Sequence, residues 1–233
     1  MRITGVEATV ARMAGVRGVL FDFGNTLFAH ASLADTVATA ARTLGAEVGP
    51  DWASDFAEAV QHDAHTADEL SHPRDLDAVV WFDRWHVLYA RSDDELPGLG
   101  AAVYHEMHHP LSWLPFATAA RTLQRLRAAD VPVVVVSNTG WDVRTVFVAH
   151  GLDRLVQQFV LSYEIGAVKP SPAIFLAGCA ALGTDPNETL MVGDDIAADG
   201  GATRAGLRSL LLPLVGLAED NGVGAAADLA LAK

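Results

Sequence analysis

Residues 18–27 read Gly18-Val19-Leu20-Phe21-Asp22-Phe23-Gly24-Asn25-Thr26-Leu27. Val19, Leu20 and Phe21 form a short apolar run, the pattern of a strand buried on both faces. The run ends at Asp22, and Gly24 and Asn25 then turn the chain. An acid at the carboxyl end of such a strand stands in the crevice where open α/β sheets bind ligands. Taken alone, Asp22 reads equally as a helix cap. The remainder of the chain decides for the crevice.

After this strand, residues 33–113 predict helices only: Leu33 to Leu44 ended by Gly45, Asp51 to about Leu70 with Asp51 as a cap, Asp75 to Tyr89, and Leu99 to His108 stopped by Pro110. Beyond Pro115 the pattern alternates. Helices are expected over 116–129, 141–150, 172–182 and 199–205, with strands over 131–136, 158–161, 190–192 and 209–212. Strands alternating with helices imply a parallel sheet covered on both faces. Pro132 is expected at the first turn of its strand. The fold class is therefore α/β, a doubly wound parallel sheet interrupted after its first strand by an all-helical insert. The expected division is an N-terminal extension over 1–17, a core over 18–30 and 115–233, and a helical cap over 31–114. Met13 lies shortly before the first strand and is an alternative start. The Ala-rich tail 225–232 has no assigned structure.

Composition narrows the function. The chain has 233 residues and a formal net charge of −13, which argues against broad nucleic-acid binding. It leaves room for an anionic small molecule held beside a metal. The single Cys179 excludes an internal disulfide and fits a reducing compartment. There is no apolar run of membrane-spanning length and no signal-peptide core, so a cytoplasmic protein is expected. Lys169 is conspicuous because the chain has only one other lysine, Lys233.

Four strand ends carry polar groups: Asp22; Ser137 and Asn138; Lys169, in the loop before the Pro172 helix; and Asp194, Asp195 and Asp199. In a parallel sheet these ends point the same way, so the groups converge at one edge. Carboxylates beside a hydroxyl and a lysine suit a magnesium ion and a phosphoryl group. Mg²⁺ takes one or two carboxylates, waters and phosphate oxygens, and lysine and metal together offset phosphoryl charge.

The set resembles the haloacid dehalogenase superfamily of hydrolases, in the form with a helical cap after the first strand. Phe21-Asp22-Phe23-Gly24-Asn25-Thr26-Leu27 is similar to its first motif, Val136-Ser137-Asn138 to the second, Val168-Lys169-Pro170 to the third, and Gly193-Asp194-Asp195-Ile196-Ala197-Ala198-Asp199 to the fourth. The resemblance implies that Asp22 is a nucleophile forming an aspartyl-phosphate, and that Ser137 binds the phosphoryl oxygens. It implies that Asn138 organises the site and that Lys169 clamps nucleophile and phosphate. Mg²⁺ would be held by Asp22, the Gly24 carbonyl and Asp194, with Asp199 acting through water. Asp195 reads equally as a second water-mediated ligand and as a helix-start acid. Asp199 reads also as a cap, although its five-residue step from Asp194 favours the site.

Two departures stand out. The superfamily's phosphatases usually carry a second Asp two residues after the nucleophile as general acid and base, and here that position is Gly24. The stretch from Asp199 to Gly206 is also one residue shorter than usual. Residues 30–114 lack the lysine that the phosphonate-cleaving branch uses, and no membrane spans suggest an ion pump. Dehalogenases replace the second Asp but lack acids like Asp194 and Asp199. The Asp-x-Gly-Asn start resembles some sugar-phosphate phosphatases of the superfamily. The expectation is a Mg²⁺-dependent phosphatase of a small phosphorylated metabolite. The alternatives are a silent binding protein of the same fold and a dehalogenase-type hydrolase.

His105-Glu106-Met107-His108-His109 also matches the H-E-x-x-H zinc-protease pattern. Pro110 stops that helix at once and no Glu follows until Glu164, which weighs against it. Seven of the nine histidines lie between His62 and His109 and are expected mostly on the cap surface. His30 and the cap histidines are candidate proton donors in place of the missing acid. Trp81, Phe82, Trp85 and Tyr89 are expected in the cap core.

Overall fold

The computed structural model describes residues 15–232; the alternative start at Met13 lies outside them. The chain runs β1 (Gly18–Phe21), β2 (Phe28–His30), α1 (Leu33–Thr43), α2 (Pro50–Ala64), α3 (Ala67–Ser71), α4 (Ala78–Ala90), α5 (Leu99–His108) and β3 (Trp113–Pro115). It continues with α6 (Ala119–Ala128), β4 (Val133–Ser137), α7 (Arg144–Ala149), β5 (Gln158–Leu161), α8 (Ser162–Ile165), α9 (Pro172–Leu182), β6 (Thr189–Gly193), β7 (Arg208–Leu211) and α10 (Gly224–Leu231).

Five parallel strands form the sheet in the order β5-β4-β1-β6-β7. The alternation of side chains along each strand divides the core in two. Val19, Phe21, Val133, Val135, Leu190 and Val192 face one side, with Leu123, Phe147 and Ala227 from α6, α7 and α10. Leu20, Val134, Val136 and Met191 face the other, against Ile174, Phe175 and Cys179 of α9. Such a side chain fully buried contributes about 1.5–3 kcal/mol before entropy is counted. Both faces are covered, which explains the unbroken Val run of β4. The all-helical stretch α1–α5 has its own core of Val37, Phe56, Val60, Leu88, Leu99 and Val103.

The element ends differ from the sequence reading in physically readable ways. The helix expected over 51–70 breaks between Ala64 and Ala67, where the Thr66 side chain accepts from Glu69 N–H and caps a new helix. Asp51 lies in the first turn of α2 rather than at its cap, which is Gly49 followed by Pro50. The helix expected from Asp75 starts at Ala78, capped by Asp77 through the N–H groups of Val79 and Val80. The helix expected over 199–205 is instead a 3-10 turn over residues 200–205, after Asp199. The strands β2 and β3 were not expected. They pair antiparallel, Phe28 with Pro115 and His30 with Trp113, and are too short to show a period. The Ala-rich tail is helix α10, whose Ala226, Ala227 and Ala230 pack on the sheet.

Candidate active site

The C-terminal ends of β1, β4 and β6 meet along one edge. Asp22 follows β1, Ser137 ends β4 and Asp194 follows β6. After Asp22 the chain turns sharply, with Asn25 in the left-handed region at φ 53°, a conformation that Asn tolerates. The side chain of Thr26, fully buried, donates to Asp194 Oδ1 at 3.4 Å and ties this turn to the end of β6.

Lys169 is the hub. Its Nζ lies 2.6 Å from Asp22 Oδ1 and 2.6 Å from Asp199 Oδ1. Burial disfavours the ammonium, but the charges of Asp22 and Asp199 outweigh it and hold Lys169 above its ordinary range. Asp199 is wholly buried, and its second oxygen accepts the Asp195 N–H at 3.0 Å. Its carboxylate fits there because Gly193 has no side chain: a Cβ on Gly193 would lie 2.1 Å from Asp199 Oδ2. Asn138 fixes the backbone of Lys169, accepting its N–H at 2.7 Å and donating to its carbonyl at 3.0 Å.

Oxygens of Asp22, Asp194 and Asp199 lie within 4.8 Å of one another, the one such cluster of His, Cys, Asp or Glu among the described residues. All-oxygen donors at this spacing suit a hard divalent cation. Burial pushes Asp22 up to about 7, opposed by Lys169 and reinforced by Asp199 and Asp194. Burial, with Asp199 beside it, also raises Asp194. A cation would relieve both. Asp199 has both oxygens engaged, which suits contact with a metal through water. Asp195 turns its Oδ1 to the N–H groups of Ala197 and Ala198, capping the turn.

A cavity of about 360 Å³ opens over this cluster, with Gly24, Ser137 and Asn138 in its floor. Its walls are aromatic: Trp81, Trp85 and Tyr89 of α4, with Trp113 and Trp141. Trp81, Phe82, Trp85 and Tyr89 were expected as cap core; Tyr89 lies in that core and Trp85 packs against it, but Trp81, Trp85 and Tyr89 also line the cavity, and Phe82 is 47% exposed. The α4 wall sits hard against the sheet edge. A Cβ on Gly140 would lie 2.3 Å from Trp81 Cβ and 2.8 Å from the Arg74 carbonyl, and the buried Ser162 hydroxyl donates to the Asp75 carbonyl. The sequence carried a signal for this contact in the small Gly140 that follows Asn138 and Thr139.

The candidate proton donors lie differently from expectation. His30 contacts Ala31, Thr36 and Glu106 and packs edge-on against Trp113, behind the cavity lining. His108 does line it, but Nε2 accepts from Trp81 Nε1 at 2.9 Å, and Nδ1 donates to the Tyr104 carbonyl at 2.7 Å. Burial pulls His108 down to about 4, so it is a neutral imidazole with both nitrogens occupied. In the H-E-x-x-H stretch, Glu106 accepts the Ser112 hydroxyl.

The profile of the haloacid dehalogenase-like hydrolases matches residues 16–206. The chain belongs to this family. It is a hydrolase with relatives named as phosphatases. It is 27% identical over 200 residues to the glyceraldehyde 3-phosphate phosphatase of Methanopyrus kandleri, covering 82% of each chain. It is 30% identical over 205 residues to the ribulose-1,5-bisphosphate 5-phosphatase of Halopiger xanaduensis, covering 83% of each. The fold is shared with the L-2-haloacid dehalogenase of Xanthobacter autotrophicus, at TM-score 0.62 and 20% identity, over 86% of this chain and 79% of that one.

Proposed function

We propose that this hydrolase cleaves a small phosphate monoester through a phosphorylated Asp22, with Mg²⁺ as cofactor. The observation that carries the reading is the Lys169 ammonium held between Asp22 and Asp199 beside Asp194 at the sheet edge. Lys169 occupies Oδ1 of Asp22, which leaves Oδ2 for attack on phosphorus. As that bond forms, the ester P–O bond breaks and the leaving oxygen departs with the electron pair. Its proton comes from water, because Gly24 offers no side chain. Water then attacks the phosphorus, Asp22 departs as carboxylate and inorganic phosphate is released. Ser137 and Lys169 hold the phosphoryl oxygens, and Asn138 keeps Lys169 in place.

Mg²⁺ fits the oxygen donors of Asp22, Asp194 and the Gly24 carbonyl, with Asp199 behind water; when bound it offsets the charge of the phosphoryl group. Residues 31–114 act as a cap over a core of 18–30 and 115–233, and the cavity of about 360 Å³ supports a small metabolite as substrate. Among the described residues no helix is long and apolar enough to cross a membrane.

The test is release of inorganic phosphate from a panel of monoesters with Mg²⁺, with EDTA, and with Asp22→Asn. Activity abolished by both treatments supports the reading. Activity indifferent to EDTA, or halide release from 2-haloacids in place of phosphate release, overturns it and favours a dehalogenase.

A further inference from the structure

We propose that the substrate's leaving group carries a flat, apolar ring, bound among the tryptophans above the phosphoryl site. This rests on the phosphatase reading and adds the class of ester. Three observations point to it. First, Trp81, Trp85, Trp113 and Trp141 surround the cavity together with Tyr89 and Met107. Aromatic walls favour a ring by area and by stacking or edge contacts. Second, part of the polar surface of these walls is spent within the protein, although Trp85 Nε1 is buried without a partner. Trp81 Nε1 donates to His108, Trp113 Nε1 donates to the Met107 carbonyl, and His108 has no free nitrogen. Thr139 accepts the Trp141 N–H and donates to the Trp141 carbonyl. A polyol brought here would leave water for few replacement partners, Trp85 Nε1 being one, and a site penalises each hydroxyl left unpaired. Third, Lys169 is the one cation lining the cavity, and two carboxylates already hold it. Arg74 pairs with Glu69 and lies over the Trp85 ring, outside the lining. A second phosphate would find no counter-charge.

The phosphatase relatives named for glyceraldehyde 3-phosphate and ribulose-1,5-bisphosphate act on small hydroxylated esters, so the proposal separates this chain from them.

The experiment compares kcat/KM for 2-phenylethyl phosphate and glycerol 3-phosphate with Mg²⁺. Both are alkyl esters, so leaving-group chemistry is similar and the ring is the main variable. Ribulose 1,5-bisphosphate is the third substrate. The expected preference for the phenyl ester over either is about tenfold or more. Trp141→Leu and Trp85→Leu, each checked for an unchanged circular dichroism spectrum, should reduce the ratio of kcat/KM for the phenyl ester to that for glycerol 3-phosphate about tenfold. Equal or better turnover of either sugar-type ester, or a preference unmoved in both variants, overturns the proposal. If no ester is hydrolysed, the phosphatase reading fails, and titration with 2-phenylethylphosphonic acid decides the subsite separately. Saturable binding weakened by the tryptophan substitutions upholds it; no binding overturns it.

Discussion

Asn138 holds Lys169 by both backbone polar groups, through Oδ1 to the N–H and Nδ2 to the carbonyl. The lysine on which the site turns is thus positioned by a residue that does not contact its ammonium. Asn138→Ala should lower kcat roughly 10–100-fold, the equivalent of losing about 1–3 kcal/mol of hydrogen bonding. Asn138→Asp keeps the acceptor and should lose less. Phosphate-release kinetics on both variants, beside melting curves, check this; equal losses in the two would mean that the acceptor contributes nothing.

Asp199 shares its space with an absent side chain. Gly193→Ala would drive a methyl to 2.1 Å from Asp199 Oδ2, so the carboxylate and its bridge to Lys169 must move. We expect about 1–3 kcal/mol of destabilisation and loss of most activity. Gly200→Ala, whose added methyl would meet only Leu211 at 3.9 Å, is the control. Urea midpoints separate the two, and a Gly193→Ala protein of normal stability and turnover would remove the packing argument.

The buried acids make stability depend on pH. Asp22 titrates near 7 against an ordinary 3.8, raised by burial. The folded state therefore keeps its proton to higher pH than the unfolded chain. The stability this gives is complete below 3.8 and is lost as pH rises through about 7. Without metal, the melting temperature should fall between about pH 5 and pH 8, and Asp22→Asn should flatten the fall. Mg²⁺ should restore stability at the upper end. A metal-free profile that rises with pH would contradict the sign.

Gly24 predicts how rate follows the leaving group. A positioned general acid is worth about 10²–10⁴-fold, and neither Gly24 nor His108 supplies one. Across a series of phosphates, log kcat should fall steeply with leaving-group pKa, and Gly24→Asp should flatten the slope. The added Cβ has room, with Trp113 Cζ3 at 3.7 Å. A shallow slope in the unmodified protein would reveal another acid.

The alternation of strand and helix beyond Pro115 was readable because a buried parallel strand needs an unbroken apolar run, as in Val133–Val136. Gln158–Leu161, Pro172–Leu182 and Leu99–His108 have the bounds their sequence predicts. Convergence of Asp22, Ser137 and Asp194 followed from strand direction, whereas Lys169 reaches them from the loop before α9. Less legible was what each acid does: Asp195 caps its turn and Asp199 anchors Lys169, distinctions set by local hydrogen bonds. The α4 side chains Trp81, Trp85 and Tyr89 were read as core because an amphipathic helix shows which residues are inward, not whether a cavity lies there. The three-residue β2 and β3 carry too few residues for any periodic signal.

The short ribbon of β2 and β3 has a consequence for how such chains diversify. The backbone leaves the core after His30 and returns at Trp113, directly opposite it across one strand spacing, about 4.5–5.5 Å. A two-residue hairpin turn closes that gap. On the proposed division into core and cap, the helical stretch would be free to vary by recombination at one spot without altering the order or register of the five-stranded sheet, once its contacts at Gly140 and Ser162 were matched. The hydrolytic groups would stay where they are while the walls around the leaving group were rebuilt.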